Sequence, residues 1–184
     1  MGHFTLIAKD IDVAPLLAEI DANPGLWNDR PERRAGNSPH RETSDLWIRY
    51  ASKEEMRGPG FMQREHQSVW WPAFHVLLSL PSIIVQFMRL VSPVRTGGIL
   101  MTRIPPGCQV YPHDDRGSWH SEYYTTKVWL VLRGNDRCVN TVEDEEMVWK
   151  QGEAWSHDNL ITHSVRNDGD SERIVLIMCF RRDE

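Results

Sequence analysis

The chain has 184 residues, the length of one domain able to bury a core of its own. Its 21 Lys and Arg stand against 26 Asp and Glu, a formal charge of -5, so no cationic excess is available for phosphates and nucleic acid is not an expected partner. With 40% hydrophobic and 26% charged residues the composition rules out a disordered or fibrous chain.

Residues 4–8 read as a short strand, and Asp12 ahead of Leu16, Leu17 and Ile20 reads as the cap of a helix that must stop before Pro24-Gly25. Residues 28–40 mix turn formers and charges without periodicity, which predicts a long exposed loop of the kind that carries function. A β-rich run at 45–50 follows, then a break at Arg57-Gly58-Pro59-Gly60. Trp70, Trp71 and Phe74 read as core or interface positions. Over 81–90, Pro81 suits a first helical turn, and Ile83, Ile84, Phe87, Met88 and Val91 recur at helical spacing, giving a face that packs on a sheet. Beyond Pro93 come short β-like runs at 98–104, 109–111, 127–132, 137–142, 146–149, 154–156, 163–166 and 173–180. Such regularly spaced strands predict a β-sandwich or barrel. The expected organisation is a single domain, 1–184, with an N-terminal buttress carrying substrate loops over 1–92 and a β core over 93–184.

Cys108, Cys138 and Cys179 are odd in number and form no CxxC pair, so neither a disulfide framework nor a structural zinc site is indicated, and reduced thiols point to a cytoplasmic setting. No apolar run approaches the ~18 to 20 residues of a membrane helix, and no membrane association is expected.

The chemistry concentrates in Tyr111-Pro112-His113-Asp114-Asp115-Arg116-Gly117, taken with His163 and Arg173. In an extended chain residues i and i+2 share a face, so His113 and Asp115 can address one ion while Asp114 points away. Two histidines and a carboxylate on one face of an octahedral ion suit non-haem Fe(II). His163 opens a β-like run and is favoured as the second histidine over His157, which sits among Asp158 and Asn159 in a loop. The turn at Asn167-Asp168-Gly169 brings Arg173 back to the height of His163, and its planar fork of donors matches a carboxylate. Whether these two strands pair or lie in facing sheets is not readable from spacing. The loop from Asn37 to Thr43, with His40 and Arg41, is the expected place of substrate contact; Trp119 and His120, just after the metal motif, are placed at the entrance.

These residues resemble the aspartyl/asparaginyl β-hydroxylase family of Fe(II)- and 2-oxoglutarate-dependent oxygenases. The resemblance is carried by Pro106-Gly107, Val110-Tyr111-Pro112-His113, the HxDxG pattern ending at Gly117, Gly152-Glu153-Ala154-Trp155, and Asn159 with His163-Ser164-Val165-Arg166-Asn167 and Arg173. It spans residues 102–178 strongly and the N-terminal half loosely, through Trp27, Arg30, His40, Thr43 and Arg49.

The resemblance implies a mainly β fold, a double-stranded β-helix or jelly roll of cupin type with N-terminal helices packed on one sheet. It implies that His113, Asp115 and His163 bind iron and that Arg173 holds the distal carboxylate of 2-oxoglutarate. Thr102 matches a second cosubstrate contact, Lys127 stands where a basic residue is usual, and Trp129 stands where a histidine is common. The expected reaction is hydroxylation of an unactivated C–H bond with O2, on an Asp- or Asn-like residue of a peptide or protein or on a small amino-acid-like acid. The rival reading is a non-catalytic cupin-like binding module; oligomeric state is left open.

Overall fold

The computed structural model describes residues 2–183. In chain order the elements are β1 (Thr5–Ala8), α1 (Ala14–Ala22), β2 (Ser44–Tyr50), α2 (Lys53–Met56), β3 (Val69–Trp70), α3 (Pro72–Val76) and α4 (Leu80–Val91). There follow β4 (Arg95–Ile104), β5 (Gln109–His113), α5 (Trp119–Tyr123), β6 (Thr126–Arg133), β7 (Cys138–Val142), β8 (Glu145–Val148), β9 (Ala154–Ser156), β10 (His163–Asn167) and β11 (Arg173–Arg181). A seven-stranded sheet runs β1-β9-β6-β11-β4-β2-β3 and a four-stranded sheet β5-β10-β7-β8, with antiparallel pairing throughout, the jelly roll anticipated above. The β10 and β11 strands belong to different sheets, which answers the question spacing left open.

The period-2 alternation of strands explains how the larger sheet is buried on both faces. One face presents Leu46 and Ile48, Ile99 and Met101, Val128, Leu130 and Leu132, and Ile174, Leu176, Met178 and Phe180 to Leu16 and Ile20 of α1 and to Leu80, Ile83, Ile84, Phe87 and Val91 of α4. The other face presents Trp47, Leu100, Thr102, Lys127, Trp129, Arg173, Val175, Ile177 and Cys179 to a cavity between the sheets. On the cavity side Thr102, Lys127 and Arg173 interrupt these apolar strands, whereas on the other face Arg103 lies at the end of β4, over the Trp27 ring.

The N-terminal half also builds sheet: β2 pairs with β4, and β1 pairs with β9. One expectation is corrected. Asp12 is not the N-cap of the first helix; Val13 holds that position without a side-chain bond, and Asp12 Oδ1 instead accepts from Ala14 N–H at 3.1 Å. Pro15 supplies the preset backbone of the first turn, so the helix starts one residue late without a capping side chain. Trp71 is buried and donates its indole N–H to the Ala51 carbonyl at 3.3 Å, while Trp70 is half exposed and stacks on Phe74.

Candidate metal and cosubstrate site

The antiparallel register of β10 on β5 sets His163 opposite His113, with ring centroids 4.4 Å apart. His113 Nδ1–H donates to the Tyr111 carbonyl at 2.7 Å and His163 Nδ1–H to the Ile161 carbonyl at 2.9 Å. These bonds fix both tautomers, so each Nε2 keeps a lone pair for a cation. Past the end of β5 the chain stays tied to the same layer, because Asp115 N–H donates to the Asn159 carbonyl at 3.0 Å. The nearest ligand atoms of His113, Asp115 and His163 lie within 4.8 Å of one another, and no other cluster of three His, Cys, Asp or Glu among the described residues does so.

Charge is arranged to keep this set in its binding form. Burial works against the Asp115 carboxylate, but the Lys127 ammonium in contact with it holds its pKa far below the ordinary carboxylate range. Asn159 Nδ2 donates to the same oxygen at 3.2 Å. Burial, with His113 alongside, lowers the pKa of His163 and favours the neutral ring a metal needs. Two imidazoles presenting Nε2 and one carboxylate on one face are a donor set that fits Fe(II).

The opposite wall belongs to the larger sheet. Arg173 is 2% exposed, lies 5.4 Å from the centroid of the Trp149 ring and donates from Nη2 to Asn140 Oδ1 at 2.9 Å. It forms no ion pair among the described residues, and burial lowers its pKa from the usual arginine value. A buried guanidinium without a counter-charge is costly to keep, and its fork of donors fits a carboxylate. Thr102 lies across from Val175 in the β4–β11 register, two residues along from Arg173, and donates its hydroxyl to Asp45 at 2.8 Å. The cavity joining the two walls measures about 520 Å³, within the usual ~300 to 1,000 Å³ of small-molecule sites.

The remaining residues singled out from sequence divide. His40, His120, Lys127 and Trp129 line the cavity; Arg41, Arg49 and Trp119 do not. The loop bearing His40 is held to β5 by Tyr111 N–H on the Pro39 carbonyl at 2.9 Å, which brings the His40 ring to 5.0 Å from that of His113. Arg41 instead lies over Tyr111 at 3.3 Å, and Arg49 donates to the carbonyls of Thr96 and Gly97. Trp119 stacks on Tyr123. His120 is buried inside rather than at an entrance, accepting Gly98 N–H at Nε2 at 2.8 Å. Gly98 allows this close approach, since a Cβ there would come to 3.1 Å from the ring and force it to shift.

Sequence reasoning passed over Trp47, Asn140, Trp149 and Cys179, all cavity residues, and treated His157 only as a rival ligand. For Cys179 a signal existed: it lies on the same strand parity as Arg173. No such signal marks Asn140 and Trp149, which come from the shorter sheet and the turn after it.

Burial, reinforced by Lys127 at His120 and by His163 at His157, pushes both imidazoles down to about 3. An unfolded histidine titrates near 6.5, so between about pH 6.5 and 3 the unfolded chain binds more protons and the folded state loses stability as pH falls. The expected slope is at most about 1.4 kcal/mol per pH unit for each ring. Urea titrations of metal-free protein should show the midpoint dropping steadily from pH 7 to pH 5; equal midpoints would contradict the neutral, buried state of these rings.

Three comparisons bear on this geometry. No curated protein matches the chain. The fold is shared with an oxidoreductase of the 2OG-Fe(II) oxygenase family from Burkholderia pseudomallei at a TM-score of 0.62 and 16% identity, over 98% of this chain and 85% of that one. It is likewise similar to a viral collagen prolyl hydroxylase from Paramecium bursaria Chlorella virus-1, solved as a 2OG complex, at a TM-score of 0.57 and 13% identity over 100% and 97% of the chains. The family model described as aspartyl/asparaginyl beta-hydroxylase matches residues 78–183, which takes in α4, both sheets' core strands and every member of the triad. With that match over more than half its length, the chain belongs to the aspartyl/asparaginyl β-hydroxylase family and is a hydroxylase.

Proposed function

We propose that His113, Asp115 and His163 hold Fe(II), that Arg173 anchors the distal carboxylate of 2-oxoglutarate with Thr102 beside it, and that the substrate is an Asp- or Asn-like residue of a peptide or protein. The observation that carries this reading is the pairing across one cavity of a three-ligand cluster with a buried guanidinium that forms no ion pair among the described residues. A dicarboxylate able to chelate a metal at one end supplies the charge that Arg173 lacks at the other.

When bound, iron with O2 and 2-oxoglutarate supplies the oxidation: one oxygen atom enters the substrate C–H bond as a hydroxyl, and the other leaves in succinate as CO2 is released. The chain's own part is to position and to exclude. His113 and His163 present Nε2 because their Nδ1–H groups are tied to backbone carbonyls. Lys127 and Asn159 orient the Asp115 carboxylate. Trp129, Trp149, Val175 and Ile177 give the cavity an apolar lining that keeps bulk water away. Arg30 and Arg33 also line the cavity, with Arg30 4.6 Å from the Trp47 ring centroid, a cationic and aromatic surface suited to an acid or amide side chain.

Purified protein given Fe(II), ascorbate and 2-oxoglutarate should form succinate, faster with Asp- or Asn-bearing peptides, and the peptide should gain the mass of one oxygen atom. Absence of succinate with every peptide tried would favour a binding module without turnover.

A further inference from the structure

Between the metal cluster and Arg173 runs a wall in which two side chains bury polar atoms without a bonding partner among the described residues. The Arg173 guanidinium lies 5.4 Å from the Trp149 ring centroid, the Trp149 ring 6.2 Å from that of His157, and the His157 ring 5.0 Å from that of His163. All four residues line the cavity. Trp149 is 3% exposed and, among the described residues, its Nε1–H has no partner; neither Nδ1 nor Nε2 of His157 has one either. Buried donors of this kind are paired in nearly all folded proteins, because leaving one unmade costs its full desolvation.

Packing does not explain the histidine. The His157 ring stacks on Trp129 at 4.0 Å and 12°, and Phe4 meets it edge-on at 6.0 Å, contacts that a phenylalanine would make as well. A polar ring has been placed where its shape alone needs none. Burial keeps it neutral, so it offers one donor and one acceptor without adding charge beside the metal cluster.

We infer that His157 and Trp149 are cosubstrate-binding residues, the His157 imidazole hydrogen-bonding the end of 2-oxoglutarate nearest the metal and the Trp149 indole N–H its far carboxylate beside Arg173. This rests on the reading of Arg173 given above. Trp129 then serves as the backing that fixes the plane of the His157 ring, and Phe4, contributed by the N-terminal segment, closes the wall from behind.

The test is calorimetric titration of 2-oxoglutarate into protein loaded with Mn(II) or Zn(II), which needs no turnover. His157→Phe and Trp149→Phe keep both rings and remove only the polar atoms. Each should weaken 2-oxoglutarate about tenfold, the worth of one hydrogen bond to a charged group, with metal affinity unchanged; the glutamine variant His157→Gln, which keeps a donor, should recover most of the loss. Wild-type 2-oxoglutarate affinity in both phenylalanine variants would overturn the inference, as would loss of metal affinity in His157→Phe. Arg173→Leu is the control that separates the two claims: weak binding there with normal binding in the phenylalanine variants removes this inference alone, whereas normal binding in Arg173→Leu removes the anchoring role itself. Should either aromatic variant not fold, the wild-type protein decides. The indole N–H resonance of Trp149 and the ring nitrogens of His157 must shift when 2-oxoglutarate is added to the Zn(II) form, and unmoved signals would refute the contact.

Discussion

Arg173→Leu is expected to raise the 2-oxoglutarate concentration needed for half-maximal activity about a hundredfold or more, while leaving the melting temperature of the ligand-free protein unchanged or higher. The two halves of that result come from one observation. In the free protein the guanidinium is buried with a single hydrogen bond, to Asn140, and no ion-pair partner among the described residues, and replacing an uncompensated buried charge by an apolar side chain of similar volume is neutral or stabilising. In the complex the same group makes a bidentate pair with a carboxylate, and removing one partner of such a desolvated pair costs about 3 kcal/mol or more, which is a factor above a hundred in affinity. Arg173→Lys restores the charge but not the fork and should recover only part of the loss. Steady-state titration of 2-oxoglutarate and a thermal melt on the same samples measure both quantities. A variant that melts much lower and binds 2-oxoglutarate normally would assign Arg173 to structure.

The second large effect is on metal binding. His163→Ala should weaken Mn(II) or Fe(II) by more than the ~10 to 100-fold typical of losing a group behind a ligand, since here a ligand itself is removed from a set of three; His113→Ala should match it. His157→Ala should leave metal affinity near wild type, because the His157 atoms are not part of the cluster of His113, Asp115 and His163. Anaerobic calorimetric titration of each variant is the measurement. Full metal affinity in His163→Ala, with loss in His157→Ala, would exchange the two histidines. The comparison is internally controlled, as both rings line the same cavity and either truncation removes a similar volume.

Much of the framework was legible because its strands and its long amphipathic helix are buried by pattern. The runs at 98–104, 127–132 and 173–180 correspond to β4, β6 and β11, and the helix expected over 81–90 to α4. Bringing His113, Asp115 and His163 together needed only the i, i+2 rule and one long-range pairing, and the register of β5 with β10 provides it. What spacing did not convey is which sheet each strand joins. His163 and Arg173 are ten residues apart in sequence yet stand on opposite walls, because the turn between them carries the chain from one sheet to the other. The N-terminal loop was harder still. Its charges look alike in sequence, but Arg33 reaches Asp45 at 2.5 Å inside the cavity while Arg41 lies over Tyr111 outside it. Tertiary contacts that a local pattern does not encode decide between them.

The alternation along the larger sheet has a consequence for how such an enzyme can change. Met101, Leu130 and Leu176 face the helices, and their immediate neighbours Leu100, Thr102, Trp129, Val175 and Ile177 face the cavity. Leu100, Trp129 and Val175 also belong to two smaller apolar clusters on the cavity side, so a substitution there reshapes what the protein accepts while leaving the larger helix-facing core in place. Selectivity and the main core thus alternate along the same strands, and a lineage or a designer can revise the first while inheriting most of the second.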